Sequence, residues 1–315
     1  MTTEFVTSGT TTVSSASSTS YIVLPSGTLD IASGGAVTGA TAVGPGSVIW
    51  IGSGGTATNA AIVGGTQYTL GNSFGTAVSN GGIEHVYWGG TATGSMIAAG
   101  AYQDVWNGTA NNTTLIGNQQ VLMGGVANGT LIILGGRQYI GAGGIANGTI
   151  ITANGLQYVD AGAVANGTEI NNGAFQYVLG SATDTTVNSG GIQAVEGTSF
   201  NTTVASGATH VLVGGSAVGT IVEVGGYQEV INGTVDGTLL SGYMQVLSDG
   251  TSVNTVIASG GAAYIGADGL ASNATVNAGG LQYVDVGGTA TGTMINGGYQ
   301  FVAGVASDTT INSGG

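Results

Sequence analysis

The sequence predicts an all-β fold, a single-stranded parallel β-helix (β-solenoid) of about 17 coils, each 16–19 residues long. A short motif returns about every 18 residues, inward and outward positions alternate within it, and 63 of the 315 residues are glycine. Helices are disfavoured, because glycine costs roughly 1 kcal/mol at each helical position and no 3.6-residue periodicity appears. Strands this short cannot bury a face alone and must stack on copies of themselves.

The repeat is marked by an anchor residue, usually aliphatic, four residues after a glycine or after an alanine that replaces it. Seventeen anchors are separated by gaps of 16 to 19 residues, and such a period indicates a solenoid. The anchors are Val13, Ile31, Trp50, Thr69, Val86, Val105, Val121, Ile140, Val159, Val178, Val195, Val211, Val230, Val246, Ile265, Val284 and Val302.

Glutamine stands two residues before most anchors, and the residue between the two varies. Alternate residues of a strand face opposite sides of the sheet. We therefore predict that glutamine and anchor face inward and that the residue between them faces outward. In residues 154–170, for example, Gln157 and Val159 are predicted to face inward and Tyr158 outward.

A second strand in each coil shows the same alternation, with a threonine and an aliphatic residue separated by one variable residue. A stretch of small residues with an inward alanine lies between the glutamine strand and this second strand. Each coil is thus predicted to have three short strands, with Gly-Gly or Asn-Gly supplying the positive φ of its corners. Stacked identical side chains can hydrogen-bond to one another, which offsets the cost of burying them. This predicts a structural ladder that includes Gln138, Gln157, Gln176, Gln193, Thr149 and Thr168.

The coil is expected to be right-handed. A left-handed helix with three six-residue sides would also give eighteen residues per coil, but it needs an aliphatic residue every six positions, and the anchors here are unevenly spaced. The domain organisation is predicted as a Ser/Thr-rich N-terminal cap over residues 1–25, followed by the repeat domain over residues 26–315.

The charge balance excludes several classes of function. Fifteen acids stand against one basic residue, Arg137, giving a net charge of −14. Nucleic acids and anionic membrane surfaces are recognised through lysine and arginine, so neither is an expected partner. No apolar run approaches the length of a membrane span. Cysteine is absent, either by chance or because the chain is exported.

Catalytic and metal sites are not predicted. Glu84 and His85 are neighbours in a strand and should face opposite sides, so we interpret Glu84 as a substitute for glutamine in the ladder and His85 as an outward residue. His210 is the remaining histidine. Asp160, Asp285 and Asp308 recur too rarely to form the calcium column of nonapeptide repeats. We expect no enzyme activity, no metal and no cofactor.

The outward position carries aromatic residues in two groups of coils. Aromatic rings aligned at strand spacing could stack on sugar rings or on the same stripe of a second molecule. The simpler explanation, that tyrosine suits a half-exposed strand, stays open. The predicted binding residues are Tyr139, Tyr158 and Tyr177, followed by Tyr264, Tyr283 and Phe301.

The units "GGYQEVINGTVDGTLL" (225–240) and "GGLQYVDVGGTATGTMI" (279–295) resemble the AIDA-type repeats of bacterial autotransporter passengers, including the antigen 43 group. The resemblance covers about residues 26–315. It implies a right-handed parallel β-helix on the bacterial cell surface or secreted from the cell, with roles in adhesion, self-association and biofilm formation.

The chain departs from that family because it shows neither a Sec signal peptide nor a membrane-barrel segment. Similar repeats also precede self-processing Hint domains, and we expect the chain to be a fragment of either kind of secreted protein. The predicted function is an adhesin-like rod that binds itself or extracellular glycans through its long faces. The alternative is a passive spacer that presents another module. Ice binding is disfavoured because Thr-Ala-Thr occurs in only three coils, at residues 56–58, 91–93 and 289–291.

Overall fold

A computed structural model describes residues 2–315, and every regular element within that range is a β-strand. The chain divides into two compact units, residues 2–165 and 166–315. In each unit, three parallel sheets form a β-solenoid, and the two units together contain about 17 turns. This confirms the predicted fold class. No helix in the described part of the chain is long and apolar enough to cross a membrane.

The sheets are named here after the side chains that they turn inward. One coil of the first unit runs from Arg137–Ile140 in the glutamine sheet to Ile145–Asn147 in the alanine sheet and Ile150–Ile151 in the aliphatic sheet. The next coil begins at Leu156–Val159, which pairs in parallel with Arg137–Ile140. Each coil therefore adds one strand to each sheet.

In the first unit the strands of the glutamine sheet are Gly9–Val13, Gly27–Ile31, Val48–Ile51, Thr66–Thr69, Ile83–Tyr87, Tyr102–Trp106, Asn118–Leu122, Arg137–Ile140 and Leu156–Val159. Those of the alanine sheet are Ala36–Thr38, Thr56–Thr58, Asn72–Phe74, Thr91–Thr93, Thr109–Asn111, Val126–Asn128 and Ile145–Asn147. Those of the aliphatic sheet are Thr3–Val6, Ser20–Val23, Thr41–Val43, Ala61–Val63, Ala77–Ser79, Met96–Ile97, Thr114–Leu115, Leu131–Ile132 and Ile150–Ile151. One further strand, Val164–Asn166, includes the point of the chain at which the units divide.

In the second unit the glutamine sheet contains Phe175–Val178, Ile192–Val195, Thr209–Val213, Tyr227–Ile231, Tyr243–Leu247, Ala262–Ile265, Leu281–Val284 and Tyr299–Val302. The alanine sheet contains Ser181–Thr183, Thr198–Phe200, Ser216–Val218, Thr234–Asp236, Thr251–Val253, Leu270–Ser272, Thr289–Thr291 and Val305–Ser307. The aliphatic sheet contains Glu169–Ile170, Thr186–Val187, Thr203–Val204, Ile221–Val222, Leu239–Leu240, Val256–Ile257, Thr275–Asn277, Met294–Asn296 and Thr310–Ile311.

Burial alternates along the strands as the sequence pattern predicts. Gln138 and Ile140 are buried and Tyr139 is half-buried in the strand Arg137–Ile140. The core of each coil thus combines aliphatic side chains with a small residue or valine, and most coils add a buried amide.

Two of the predicted anchors are wrong by one residue. Ile51 pairs with Ile31 and is buried, whereas Trp50 pairs with Asp30 and is 37% exposed. Likewise Leu212 pairs with Val195 and is fully buried, so Val211 faces outward. Both strands carry apolar residues on both faces, and the spacing from the preceding glycine did not resolve their register.

The corners depend on glycine for two different reasons. Gly124 has a φ of 82°, in the left-handed region that side chains disfavour. The following residue, Gly125, has no room for a side chain, because a Cβ there would lie 2.2 Å from the carbonyl oxygen of Val105 in the preceding coil. Adjacent glycines therefore both turn the chain and allow close stacking of coils.

The first 25 residues continue the same sheets. Thr3–Val6 pairs in parallel with Ser20–Val23, and Gly9–Val13 pairs with Gly27–Ile31. Whether residues 1–25 act as a cap on the repeat domain stays a prediction.

Candidate binding surface

The outer face of the glutamine sheet carries the predicted aromatic residues. In the first unit Tyr139 and Tyr158 are paired in register on neighbouring strands. Their ring centroids are 5.5 Å apart and the rings are inclined by only 17°. The strand spacing of about 4.8 Å places the rings at stacking distance. These two side chains form one aromatic stripe.

The second unit has a longer stripe of the same kind. Tyr264 and Tyr283 have ring centroids 6.2 Å apart, inclined by 18°, and Tyr283 and Phe301 have centroids 5.9 Å apart. Tyr283 and Phe301 are 43% and 53% exposed. Tyr177 stacks on Phe175 of its own strand, with a centroid separation of 6.5 Å. The structure therefore brings Tyr264, Tyr283 and Phe301 together.

Acidic residues of the following coil accept hydrogen bonds from several of these phenols. Tyr139 Oη donates to Asp160 Oδ2 at 2.6 Å. Tyr264 donates to Asp285 and Tyr177 to Glu196 in the same way. The sequence pattern did not indicate that Asp160 and Asp285 pair with outward tyrosines. The sequence does contain a signal for this pairing. The acidic residue directly follows the anchor of the coil that comes after the outward tyrosine.

These hydrogen bonds shift the pKa of both partners. The bond to Asp160, aided by partial burial, raises the pKa of Tyr139 to about 12. The same bond, with one from the Ala161 amide, lowers the pKa of Asp160. The pKa of Tyr264 is raised and that of Asp285 is lowered for the same reason. The phenols therefore stay protonated donors, and the carboxylates stay charged.

Shallow cavities adjoin both stripes. The first, of about 300 Å³, lies in the second unit, where small Ala262 separates larger side chains of the neighbouring strands. Its lining is Tyr243, Ala262, Ala263, Tyr264, Leu281 and Tyr283. The second, of about 290 Å³, lies in the first unit and includes Arg137 beside Tyr102, Asn118, Gln120, Tyr139 and Tyr158.

Behind the first stripe, the buried amides of the first unit form a continuous ladder. Gln138 Nε2 donates to Gln119 Oε1 at 2.6 Å, and Gln157 Nε2 donates to Gln138 Oε1 at 2.7 Å. Thr149 Oγ1 donates to Gln138 Oε1 from across the same coil, at 3.2 Å. Since both amide and hydroxyl are fully buried, these bonds offset their desolvation. The ladder keeps successive coils in register.

Glu84 occupies the glutamine position in its coil. Its carboxylate is fully buried and accepts from Gln67 Nε2 at 3.0 Å, Ser73 Oγ at 3.0 Å and Gln103 Nε2 at 2.8 Å. Burial raises the pKa of Glu84, although the hydrogen bonds oppose the shift. His85 points to the opposite face, so the two do not form a catalytic pair.

The second unit has a shorter and less regular ladder. Gln193 Nε2 donates to Gln176 Oε1 at 2.7 Å, and Gln176 Nε2 donates to Thr168 Oγ1 at 3.2 Å. The next position is His210, whose Nδ1 lies 3.2 Å from Gln228 Nε2. Burial lowers the pKa of His210 to about 3, so it is neutral in the folded protein.

A second aromatic group in the first unit was missed by sequence analysis. It consists of Trp50, Tyr68, His85, Tyr87, Trp88 and Trp106, here called the tryptophan cluster. Trp50 was predicted to face inward, and Trp88 and Trp106 follow their anchor instead of preceding it. The signal that could have found the cluster is that all three tryptophans of the chain lie between positions 50 and 106.

Metal ligands do not cluster in the part of the chain that the structure describes, where no three His, Cys, Asp or Glu side chains converge. His85 Nδ1 lies 3.1 Å from Asp104 Oδ2, with side-chain exposures of 16% and 22%. This pair belongs to the outer face of the glutamine sheet.

Comparisons with known proteins found no matching family model and no matching curated protein. Among solved structures, the chain is similar to the TibC-catalyzed hyper-glycosylated fragment 55–350 of TibA, with 28% identity and a TM-score of 0.56. That alignment covers 95% of this chain and all of the TibA fragment.

Two further structures, both 10% identical, have much lower TM-scores. The periplasmic alginate epimerase AlgG has a TM-score of 0.25, with 98% of this chain and 85% of that chain covered. The catalytic unit of a GH87 α-1,3-glucanase from Streptomyces thermodiastaticus has a TM-score of 0.26, with 93% and 63% covered.

The likeness to the TibA fragment extends over nearly the whole of this sequence. Together with the repeating Gly-Gly-x-Gln-x-Val units and the three-sheet solenoid, it supports the resemblance of this chain to AIDA-type autotransporter passenger repeats.

Proposed function

We propose that this chain is an extracellular adhesin-like segment that associates with itself or attaches to surfaces through the outer face of the glutamine sheet. One observation carries the proposal. The strands that turn Ala263 and Gln282 into the core turn stacked aromatic rings outward, as in the pair Tyr264 and Tyr283. The core does not need these rings, because the buried positions beside them are already filled by Gln282 and Val284.

Stacked rings at regular spacing suit many weak contacts. An aromatic pair contributes about 0.5–1.5 kcal/mol beyond the area it buries. Contacts of this size become useful when they repeat along one face, since the second contact forms at high effective concentration. The stripes thus support adhesion by avidity without a deep pocket.

The charge of the chain gives this association a characteristic salt dependence. Each copy carries a net charge of −14, so two copies repel each other at low ionic strength. Salt screens that repulsion over a Debye length of about 10 Å at 0.1 M. Homotypic association through aromatic contacts should therefore strengthen as salt is added, whereas an ion-paired interface would weaken.

The second candidate is a passive spacer that presents another part of a longer protein. The observation in its favour is that Asp160 accepts a hydrogen bond from Tyr139 and so occupies the polar end of that side chain within the domain itself. In this case the outward rings only pack against one another and against their own acids.

The two candidates differ in the settling of beads coated with the protein. The test variant replaces the six predicted residues with serine: Tyr139, Tyr158, Tyr177, Tyr264, Tyr283 and Phe301. The matched control replaces four exposed residues of the aliphatic sheet with serine: Ile150, Ile221, Leu239 and Met294, which are 38–44% exposed.

We expect wild-type and control beads to clump and settle together, faster at higher salt, and beads with the test variant to stay dispersed. Wild-type beads that neither clump nor attach to any surface would favour the spacer. Clumping that survives the six substitutions but is lost in the control would place adhesion on the aliphatic sheet.

A further inference from the structure

The tryptophan cluster gathers every indole of the chain onto one surface of the first unit. The three side chains, Trp50, Trp88 and Trp106, are 37%, 70% and 40% exposed. Trp50 and Trp106 belong to strands of the glutamine sheet, with two strands between them. Three strand spacings of about 4.8 Å separate these strands by roughly 14 Å.

The rings between the indoles hold them in place. Tyr68 stacks on His85, with a centroid separation of 5.0 Å and an inclination of 15°. At one end of this group the ring centroids of Trp50 and Tyr68 are 5.2 Å apart. At the other end the ring centroids of Trp106 and Tyr87 are 6.1 Å apart. Rings packed in this way lose little conformational entropy when a ligand binds.

Trp88 is held in a conformation that is unusual for a bulky residue. Its φ is 39°, at the corner that follows the strand Ile83–Tyr87. A positive φ is sterically costly for a large side chain, and the corner residues Met123 and Leu134 share it, with φ values of 49° and 52°. Glycine would relieve the strain, yet the chain places there its most exposed tryptophan.

Polar groups border the rings on the same face. Asp104 Oδ2 lies 3.1 Å from His85 Nδ1, and the Tyr87 hydroxyl lies 3.0 Å from the same nitrogen. Asp30 is paired in register with Trp50 at the other end of the cluster. Carboxylate and phenol oxygens accept hydrogen bonds from hydroxyl groups, so hydrogen-bond acceptors border the apolar rings.

From these observations we infer that the tryptophan cluster binds an uncharged oligosaccharide. The C–H faces of sugar rings pack on indole rings, and sugar hydroxyl groups donate to carboxylates such as that of Asp104. This inference deepens the adhesive function proposed above, because it names a ligand, and it assigns that ligand to residues outside the two tyrosine stripes.

The charge around the cluster selects against acidic sugars. The carboxylates near the rings are those of Asp30 and Asp104, while Arg137, the only basic residue of the chain, lies in the cavity beside Tyr139. A uronate or a sulfated sugar would bring another negative charge to a surface that has no cation to pair with it. The spread of roughly 14 Å across the cluster suits several linked sugar units more than one.

Intrinsic fluorescence tests the inference directly, because all tryptophan emission of the chain comes from this cluster. The full chain is titrated with cellohexaose, laminarihexaose, maltohexaose and chitohexaose, and with hexagalacturonate as an acidic probe. We expect at least one neutral hexasaccharide to change the emission in a saturable manner and hexagalacturonate to leave it unchanged. Lack of response to all four neutral sugars, or an equal response to hexagalacturonate, would overturn the inference.

Variants locate the binding on the cluster. Trp50→Ser with Trp106→Ser keeps Trp88 as a reporter and should lower the association constant about tenfold or more, as calorimetry with the responding sugar would show. Trp88→Gly should lower it about fivefold. Because Trp88→Gly also relieves a positive φ, the unfolding midpoint of this variant should stay the same or rise. Weaker sugar binding by a variant with an unchanged midpoint cannot result from misfolding.

The control is Ile221→Ser with Leu239→Ser, at exposed positions of the aliphatic sheet in the second unit, which should change the association constant by less than about twofold. An equal loss in this control would contradict a site on the cluster. Emission that changes with protein concentration alone would show that a second copy covers the cluster, and this result would also overturn the inference. Neither measurement depends on bead clumping, so the inference and the proposed function can fail separately.

Discussion

Gln103 Nε2 donates a hydrogen bond to Glu84 Oε2 at 2.8 Å, and this contact sets the direction of the buried ladder in the first unit. A carboxylate only accepts, so Gln103 must turn its NH₂ group toward Glu84 and its oxygen toward the next coil. The following amide therefore donates back, as Gln119 Nε2 does to Gln103 Oε1 at 2.6 Å. On the other side, Gln67 also donates to Glu84, which leaves Gln67 Oε1 without a hydrogen-bond partner.

Replacing the carboxylate by an amide, Glu84→Gln, should stabilise the protein at neutral pH. The new NH₂ group would face Gln67, whose amide can rotate to offer its unpaired oxygen, while the new oxygen still accepts from Gln103. Removing a buried charge whose pKa is raised gains about 1.4 kcal/mol for each pH unit of the shift. The measurement is the midpoint of denaturant unfolding.

The gain from Glu84→Gln should depend on pH with a defined sign. The folded protein binds the proton more tightly than the unfolded chain, so the wild type loses stability as pH rises from 4.5 through the raised folded pKa. The gain should thus be small below about pH 4.5 and complete above the folded pKa. Glu223→Gln, which removes an exposed acid, is the matched control. A gain in stability that is the same at every pH would show that Glu84 is not a buried carboxylate with a raised pKa.

His210 gives the opposite pH dependence in the second unit. Its folded pKa of about 3 is below the unfolded value of 6.5, so stability is complete above 6.5 and is lost as pH falls toward 3. His210→Gln places an amide between Gln193 and Gln228 and should restore roughly 4 kcal/mol near pH 3. Near pH 8 the same substitution should change the free energy of unfolding much less. His85→Gln, on the outer face, serves as the control, and equal effects of the two substitutions would contradict the prediction.

The pair Tyr139 and Asp160 can be tested by titrating tyrosine absorbance. Asp160→Asn replaces a charged acceptor by a neutral one, so the pKa of Tyr139 should fall from about 12 toward 10. The difference between the wild-type and variant titrations should correspond to one phenol. Asp268→Asn, at an exposed corner, should leave the titration unchanged. Identical curves for wild type and Asp160→Asn would show that the hydrogen bond is absent in solution.

The two roles of glycine at corners predict different costs for alanine. Gly125→Ala forces a Cβ to within 2.2 Å of the Val105 carbonyl oxygen and should cost about 3 kcal/mol. Gly148 has a φ of 62° and nothing within 4 Å of its Cβ position, so Gly148→Ala should cost only about 1–2 kcal/mol. Unfolding midpoints measure the difference. Equal losses of stability in the two variants would mean that the close approach of neighbouring coils does not exclude a side chain at position 125.

The inward and outward pattern was predictable because strand alternation and stacking impose it on every coil. Gln157 and Tyr158 follow it without exception, since their coil has the usual spacing from its glycine. The prediction that Trp50 faces inward was wrong because the strand Val48–Ile51 is apolar on both faces and follows a longer corner containing Pro45. Periodicity alone cannot fix register where both faces of a strand carry similar residues.

The candidate sites were harder to predict, because they depend on contacts between coils. Alternation places Tyr139 outside, but only the structure shows that its hydroxyl reaches Asp160, which is 21 residues further along the chain. The tryptophan cluster draws on both outward positions of a strand, such as His85 and Tyr87, and on a corner residue, Trp88. A search for aromatic residues at one repeat position therefore could not find it.

Single cysteines can separate the inward scaffold from the outward binding face, because the chain contains no cysteine of its own. Gln157→Cys and Thr149→Cys lie at buried positions of the ladder, and Tyr158→Cys and Ile150→Cys are their outward neighbours. The decisive measurement is the rate at which each native variant reacts with a thiol reagent, relative to its rate after unfolding. We expect the two outward cysteines to react at least about a hundredfold faster than the two inward ones. Similar rates at Gln157→Cys and Tyr158→Cys would contradict the alternation on which the ladder, the aromatic stripes and the tryptophan cluster all depend.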